Sequence, residues 1–318
     1  MKENDFQLVP ANYSLAVEFS LPVRPDAQIT GYAPGHPAAP KIDQNYVFMR
    51  EKLRDLLAFW QSGETALKIC GDPATGKTSL VEQFHARLRY PLYKVACHPR
   101  LEARDLIGQL YPTESGGLVW RDGPLLKAAR EGTTVLIDEY NLIDPGEASG
   151  LNMLLEGYSV VIPETGEVVH PAASFRIIAT ENSVTSRLTV TGRNVQDAAN
   201  DDRFMVATAD YLPAELEIKV VVNALQADGV PPDVAQMIAE QVVGVANTIR
   251  TDYRTGDSVV DKPMSTRVAI RWAKLVRRFS HVSTQEGGPM AYAVRRAFQM
   301  SPELDAKVVE FIKAKLGS

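Results

Sequence analysis

Ala66-Leu67-Lys68-Ile69-Cys70-Gly71-Asp72-Pro73-Ala74-Thr75-Gly76-Lys77-Thr78 decides how this chain is read, because an apolar run enters a G-x-x-x-x-G-K-[ST] turn. Such a turn cradles phosphate. Its glycines let the backbone wrap around phosphate oxygens, with main-chain N–H groups and the positive end of the following helix aimed inward. Lys77 is then placed to neutralise β and γ charge, and the Thr78 hydroxyl to hold Mg²⁺. The expected binding residues are Gly71, Asp72, Pro73, Ala74, Thr75, Gly76, Lys77, Thr78 and Ser79, and the expected ligand is a nucleoside triphosphate. Leu80, Val81 and Phe84 follow with the spacing of a helix face packed on a sheet, which a chance match in a glycine turn has no reason to show.

Outward from that turn, Leu92–Ala96, Thr133–Ile137 and Phe175–Ala179 read as further short strands with helical segments between them. Alternation of this kind implies a parallel sheet covered on both faces, because crossover connections put helices there. Two segments break the pattern. A hairpin is expected within Gln109 to Trp120, and a second from Tyr158 to His170 around Thr165-Gly166. The fold class is therefore α/β, an αβα sandwich with a parallel sheet, followed by an all-helical lid.

Residues 1–40 are interrupted by Pro10, Pro22, Pro25, Pro34, Pro37 and Pro40 and read as an extended arm. A helix is expected from Asp43 through Trp60, opening a nucleotide-binding domain over 41–228. After Pro213 the chain turns helical, and Pro231-Pro232 marks the expected start of a lid domain over 229–318. Val268, Trp272, Leu275, Val276 and Phe279 give that lid one buried face.

With 318 residues, 45% hydrophobic, the chain is long enough for one large core and a smaller second one. A net charge of −5 offers no global attraction to phosphate polyanions, which argues against a nucleic-acid partner. Cys70 and Cys97 lie in or at the end of strands, where a small apolar residue serves packing, so a disulfide framework is not expected. His36, His85, His98, His170 and His281 lack the spacing of a transition-metal site. The opening Met1-Lys2-Glu3-Asn4-Asp5-Phe6 has no signal-peptide core, and no run is long enough to span a bilayer, making the cytoplasm the expected location.

Asp138-Glu139 ends the third strand, so two carboxylates emerge at the sheet edge that also carries the phosphate turn. Asp138 is the candidate for the Mg²⁺ shell and Glu139 for polarising the attacking water. A solvated acid pair ending a strand is the plainer alternative. Asn182 ends the fourth strand, where an amide can hold that water without adding charge. Arg203, in Asp201-Asp202-Arg203-Phe204, is the candidate arginine for a neighbouring subunit's site, with Arg187 and Arg193 as rivals; pairing with Asp201 or Asp202 is its ordinary alternative. Arg267 follows Ser265, a candidate N-cap, and so occupies a helix's first turn, where a cation is disfavoured by about 0.3–1 kcal/mol. That placement points to an anionic target, the γ-phosphate, although Arg267, Arg271, Lys274 and Arg278 also form an ordinary basic stripe.

With the phosphate turn, Asp138-Glu139, Asn182, Arg203 and Arg267 in this order, residues 41–318 resemble the AAA+ ATPases. The hairpin after Asp105-Leu106-Ile107-Gly108 and the one ahead of Phe175 are similar to those of the helix-2-insert branch, especially MoxR-type ATPases. Ile42-Asp43-Gln44-Asn45-Tyr46-Val47-Phe48, Asp138-Glu139-Tyr140, Thr191-Gly192 before Asp202-Arg203, Tyr211-Leu212-Pro213 and Met264-Ser265-Thr266-Arg267 are similar to the small ATPase subunits of aerobic cobaltochelatases, which insert cobalt into a corrin ring. The resemblance implies ATP and Mg²⁺ as cofactors and a hexameric ring with ATP between subunits. In that ring Arg203 acts in trans, and Ile42 to Phe48 help form the adenine pocket. It implies ATP hydrolysis that remodels a partner, either a chelatase-like subunit or, for a MoxR-type chaperone, a von Willebrand-type domain protein. Related rings also thread DNA through basic hairpin tips, but here the tip is the acidic Pro163-Glu164-Thr165-Gly166-Glu167. Many relatives carry a polar switch residue at the end of the second strand, where this chain has Val95-Ala96-Cys97-His98.

Overall fold

The computed structural model describes residues 7–182, 198–283 and 288–316. Where an irregular arm is expected, β1 (Pro10–Ser14) and β2 (Gln28–Tyr32) pair antiparallel across a one-turn helix α1 (Leu15–Phe19). The prolines permit this because Pro10 occupies the first position of β1 and Pro22 and Pro25 fall in the connection. Phe19 stacks on Phe84 at 5.3 Å, so the pair is anchored to the main core rather than trailing from it. The next helix, α2 (Arg50–Ser62), starts later than expected. Asp43 instead caps a turn, its Oδ1 accepting from Asn45 N–H at 2.9 Å, and the helix ends where Gly63 turns left-handed.

From there the strands alternate with helices: β3 (Ala66–Gly71), α3 (Lys77–Leu88), β4 (Leu92–Ala96), α4 (Ala103–Ile107), the hairpin β5 (Gly108–Pro112) with β6 (Leu118–Asp122), α5 (Pro124–Glu131) and β7 (Thr134–Asp138). After the one-turn helices α6 (Pro145–Ser149) and α7 (Asn152–Leu155), a two-rung hairpin of β8 (Val160–Val161) and β9 (Val168–Val169) leads into β10 (Arg176–Asn182). The short helix α8 (Ala198–Asp201) then precedes β11 (Met205–Ala209). Five strands form one parallel sheet in the order β11-β3-β10-β7-β4. Leu67 and Ile69 of β3 pack toward α2 and α3, while Ala66, Val135, Ile137 and Ile177 pack toward α5, so both sheet faces are covered.

Register decides where the chemistry converges. Gly71 of β3 lies opposite Asn182 of β10, and Ile137 opposite Ala179, so the phosphate turn, Asp138 and Asn182 leave the same rim. β10 reaches Asn182, the residue at which the sequence reading ends the fourth strand. β11 was not anticipated: it is an edge strand that buries only Ala207 and Ala209 and exposes Val206 and Thr208, which leaves little apolar signal.

Among the described residues five helices follow: α9 (Ala214–Ala227), α10 (Pro232–Thr255), α11 (Thr266–Arg278), α12 (Gly288–Ala297) and α13 (Pro302–Leu316). Val221 and Leu225 of α9 are fully buried with Val242, Ile249 and Trp272, so the helical core begins at Ala214, ahead of the expected boundary at 229. Ser265 does cap α11, its hydroxyl accepting from Val268 N–H at 3.0 Å. Among the described residues no helix is long and apolar enough to cross a membrane.

Candidate functional site

The phosphate turn is shaped by close approach and handedness. At Gly71 a Cβ would lie 2.1 Å from the Ala209 carbonyl oxygen, so only glycine lets β3 leave the sheet beside β11. Ala74 (φ 66°) and Gly76 (φ 83°) are both left-handed on either side of Thr75, which turns successive N–H groups toward one centre. Thr75 Oγ1 donates to Asp72 O at 3.0 Å, and Lys52 of α2 donates to Thr75 O at 2.9 Å, bracing the turn from inside and from behind. Lys77 is buried and donates to Gly71 O at 3.0 Å, Asp72 O at 2.9 Å and Asn182 Oδ1 at 2.9 Å. Burial pushes the Lys77 ammonium down to about 8, with Asp138 and Asp72 opposing; burial does the same to Lys52, opposed by Asp210.

Thr78 Oγ1 donates to Asp138 Oδ1 at 2.9 Å, and the same carboxylate oxygen accepts from the Thr180 hydroxyl. A hydroxyl and a carboxylate meeting at one point are a donor set suited to a hard divalent cation. Glu139 has an exposed side chain on a left-handed backbone (φ 59°), and its N–H donates to Thr180 Oγ1 at 3.1 Å. Thr180 thus fixes both acids. At the end of β4, Cys97 N–H donates to Asp138 O at 2.9 Å, and burial raises its thiol to about 12, with Asp138 and Glu139 adding to the shift. Tyr46, from the stretch assigned to the adenine pocket, packs on Phe48 with its hydroxyl against Ser79. A cavity of about 430 Å³ lies beside the turn, lined in part by Met49, Lys52, Asp55, Asp72, Asp210 and Arg254.

The arginines fall differently from the sequence expectation. Arg203 pairs with neither Asp201 nor Asp202: its Nε lies 2.5 Å from Glu156 Oε1, and it also donates to Ala199 O. Arg267 is exposed and forms no hydrogen bond or ion pair with any described residue. Arg187, Arg193 and Thr191-Gly192 lie outside the described residues. The lid arginine that meets the phosphate turn is Arg254 of α10, donating to Asp72 Oδ2 at 3.0 and 2.9 Å and to Asp210 Oδ1 at 2.5 Å. No group of three or more His, Cys, Asp or Glu that could hold a metal occurs among the described residues.

Residues 67–204 match the family described as AAA domain (dynein-related subfamily), and residues 223–314 the CbbQ/NirQ/NorQ C-terminal family. The denitrification regulatory protein NirQ of Stutzerimonas stutzeri is 31% identical over 69% of this chain and 74% of its own. The chain is a MoxR-branch AAA+ ATPase. The aerobic cobaltochelatase subunit CobS of a Sinorhizobium species is 27% identical over 86% of this chain and 81% of its own. Among solved structures, Thermotoga maritima RuvB superposes with a TM-score of 0.46 at 16% identity, covering 82% of this chain and 68% of that one.

In this AAA+ ATPase, Lys77, Thr78, Asp138 and Asn182 are brought together as expected by their place on the rim. Lys52, Thr180, Tyr211 and Arg254 were not anticipated. Thr180 falls between the expected strand residues Phe175–Ala179 and Asn182, and a hydroxyl at the acidic end of that strand was the available signal. Tyr211, whose OH donates to Pro73 O at 2.9 Å, carries Arg250 and Arg254 over its ring at 4.5 and 5.2 Å. Its role depends on a fold that joins positions 138 residues apart.

Proposed function

We propose that this chain hydrolyses Mg²⁺-ATP and uses the cycle to remodel a partner protein from within a ring, which its family resemblance implies is a hexamer. The observation that carries the reading is convergence: Lys77 Nζ is bonded to Asn182 Oδ1 at 2.9 Å while Thr78 and Asp138 share a hydrogen bond on the same rim. The main-chain N–H groups of residues 74–78 and the Lys77 ammonium bind the phosphates. Thr78 Oγ1 and Asp138 would hold Mg²⁺, which when bound neutralises charge on the β and γ phosphates. Glu139 orients and deprotonates the attacking water, Asn182 holds it through an uncharged amide, and Arg203 serves the adjoining subunit. Arg267 reaches the γ-phosphate from the lid only after a lid movement, since here it contacts no described residue. Glu139→Gln should bind ATP as the wild type does and turn it over at least about 100-fold more slowly; unchanged turnover removes that role.

For the client, a metal-inserting chelatase complex is our first reading, favoured by a likeness to CobS that extends over 86% of this chain. Maturation of another enzyme with a von Willebrand-type domain protein is the second, favoured by the C-terminal match at residues 223–314. Affinity purification of Glu139→Gln with ATP separates them: a chelatase-like large subunit supports the first, and a von Willebrand-type protein the second. A nucleic-acid motor fits less well, because the tip of the second hairpin carries Glu164 and Glu167, and Arg130 spends its guanidinium on Glu167 at 2.6 and 2.9 Å. DNA should neither bind in a salt-sensitive way nor stimulate hydrolysis.

A further inference from the structure

A charged side chain is buried on the parallel sheet. Lys68 of β3 is 4% exposed, in a strand whose other residues up to Ile69 are apolar and buried. Parallel strands covered on both faces are ordinarily continuous apolar runs, and a cation there is expensive unless it is paired. Lys68 is paired twice: Nζ donates to Asp201 Oδ1 at 2.5 Å and stands 3.4 Å from Glu181 Oε2. Burial alone lowers this ammonium, but Asp201 and Glu181 outweigh it and raise it above the usual lysine value. The Phe204 ring covers it at 5.5 Å.

The partners are informative by position. Glu181 directly precedes Asn182, whose side chain meets Lys77 of the phosphate turn. Asp201 lies two residues before Arg203. A second connection runs beside the first. Tyr140, the residue after Glu139, donates to Asn200 Oδ1 at 2.9 Å and meets Phe204 edge-on at 5.4 Å, while Asn200 donates to Asn152 Oδ1 at 2.9 Å. Two residues assigned to the attacking water are therefore each one position from a side chain in a network that grips the segment bearing Arg203. Salt bridges and hydrogen bonds between packed elements are the kind of contiguous network through which two sites bias each other.

We propose that Lys68 is a positioning residue for Arg203, linking the end of β10 to Asp201 so that the arginine offered to the neighbouring subunit follows the state of this chain's own ATP site. The inference rests on the reading of Arg203 as acting in trans. In the same picture Glu156 is the seat Arg203 leaves when a neighbour's phosphate competes for it.

The test uses full-length Lys68→Met and, because a buried change can impair folding, Asp201→Ala at a half-exposed side chain. Each should bind a fluorescent ATP analogue within about threefold of wild type and lose at least about tenfold in kcat, a fraction of what an arginine finger supplies. Adding Lys77→Ala subunits, which lack a working site but carry an intact Arg203, should restore part of that turnover, as it should for Arg203→Ala. Unchanged kcat in both variants overturns the proposal. So does loss without restoration when Arg203→Ala is restored under the same mixing, because Lys68 then acts within its own site. Failure to restore Arg203→Ala removes the trans reading itself, and the proposal with it.

Discussion

Replacing Thr180 with valine should separate ATP binding from ATP turnover. Thr180 is 1% exposed, and its hydroxyl both donates to Asp138 Oδ1 and accepts the Glu139 N–H at 3.1 Å. Valine keeps the shape and removes both bonds. A buried group left without its partner costs about 1–3 kcal/mol, so the fold should lose that much stability. Glu139 also sits on a left-handed backbone at φ 59°, a conformation that costs about 1–3 kcal/mol for a non-glycine residue and is held here by the Thr180 bond. If about 1.4–2.8 kcal/mol of that hold is needed in the transition state, kcat falls about 10–100-fold. The loop amides and Lys77 do not act through Thr180, so the ATP dissociation constant should stay within about threefold, well under 1 kcal/mol. Steady-state phosphate release and titration of a fluorescent ATP analogue measure the two quantities, and Thr180→Ser should recover most of the rate. Wild-type kcat in Thr180→Val, or a binding loss equal to the rate loss, refutes the reasoning.

Lys77 and Lys52 titrate near 8 in the folded chain against 10.5 for an ordinary lysine. The unfolded chain therefore binds more protons across pH 8–10.5, and these two groups make stability rise with pH in that window, readable from urea midpoints. Phosphate needs Lys77 charged, so ATP binding near pH 8–9 should take up protons and weaken as pH rises; calorimetry in buffers of different ionisation enthalpy that finds no uptake contradicts this. Arg254→Ala removes half-exposed pairs and should change stability by less than about 1 kcal/mol. It also frees the lid from Asp72, so ADP should leave about 3–10-fold faster, and an unchanged stopped-flow off-rate argues against lid contact through this residue. Arg250→Met leaves the fully buried Glu217 without its two bonds of 2.6 and 2.7 Å and should destabilise the lid by about 3–5 kcal/mol; a loss below about 1 kcal/mol speaks against a buried pair.

What was legible in the sequence was local. The phosphate turn, four strands and both hairpins announce themselves through glycine spacing, short apolar runs and turn residues within a dozen positions of each other. β11 was missed because an edge strand needs few apolar residues, and the β1–β2 pair because proline frequency hid a register that confines them to the first position of β1, the connection and the stretch after β2. Helix α9 follows Pro213 as expected, but only packing shows that Val221 and Leu225 face the lid core. The candidate site divides the same way. Lys77, Asp138 and Asn182 end or follow strands, so the sheet's register brings them to one rim. Arg254 meets Asp72 across 182 positions, and nothing in its helical neighbourhood distinguishes it from Arg250 or Arg267. Conversely, within the basic stripe through Arg267 it is Lys274 that finds a partner, 3.1 Å from Asp228 Oδ2, while Arg267 pairs with no described residue.

The most direct measurement is isothermal titration of Mg²⁺-ATP into the purified full-length chain, beside Lys77→Ala. The account predicts saturable binding by the wild-type chain, with a dissociation constant in the range of about 1 µM to 1 mM usual for enzyme substrates, and loss of that heat in Lys77→Ala. Absence of binding by the wild type, or an identical isotherm from Lys77→Ala, contradicts it.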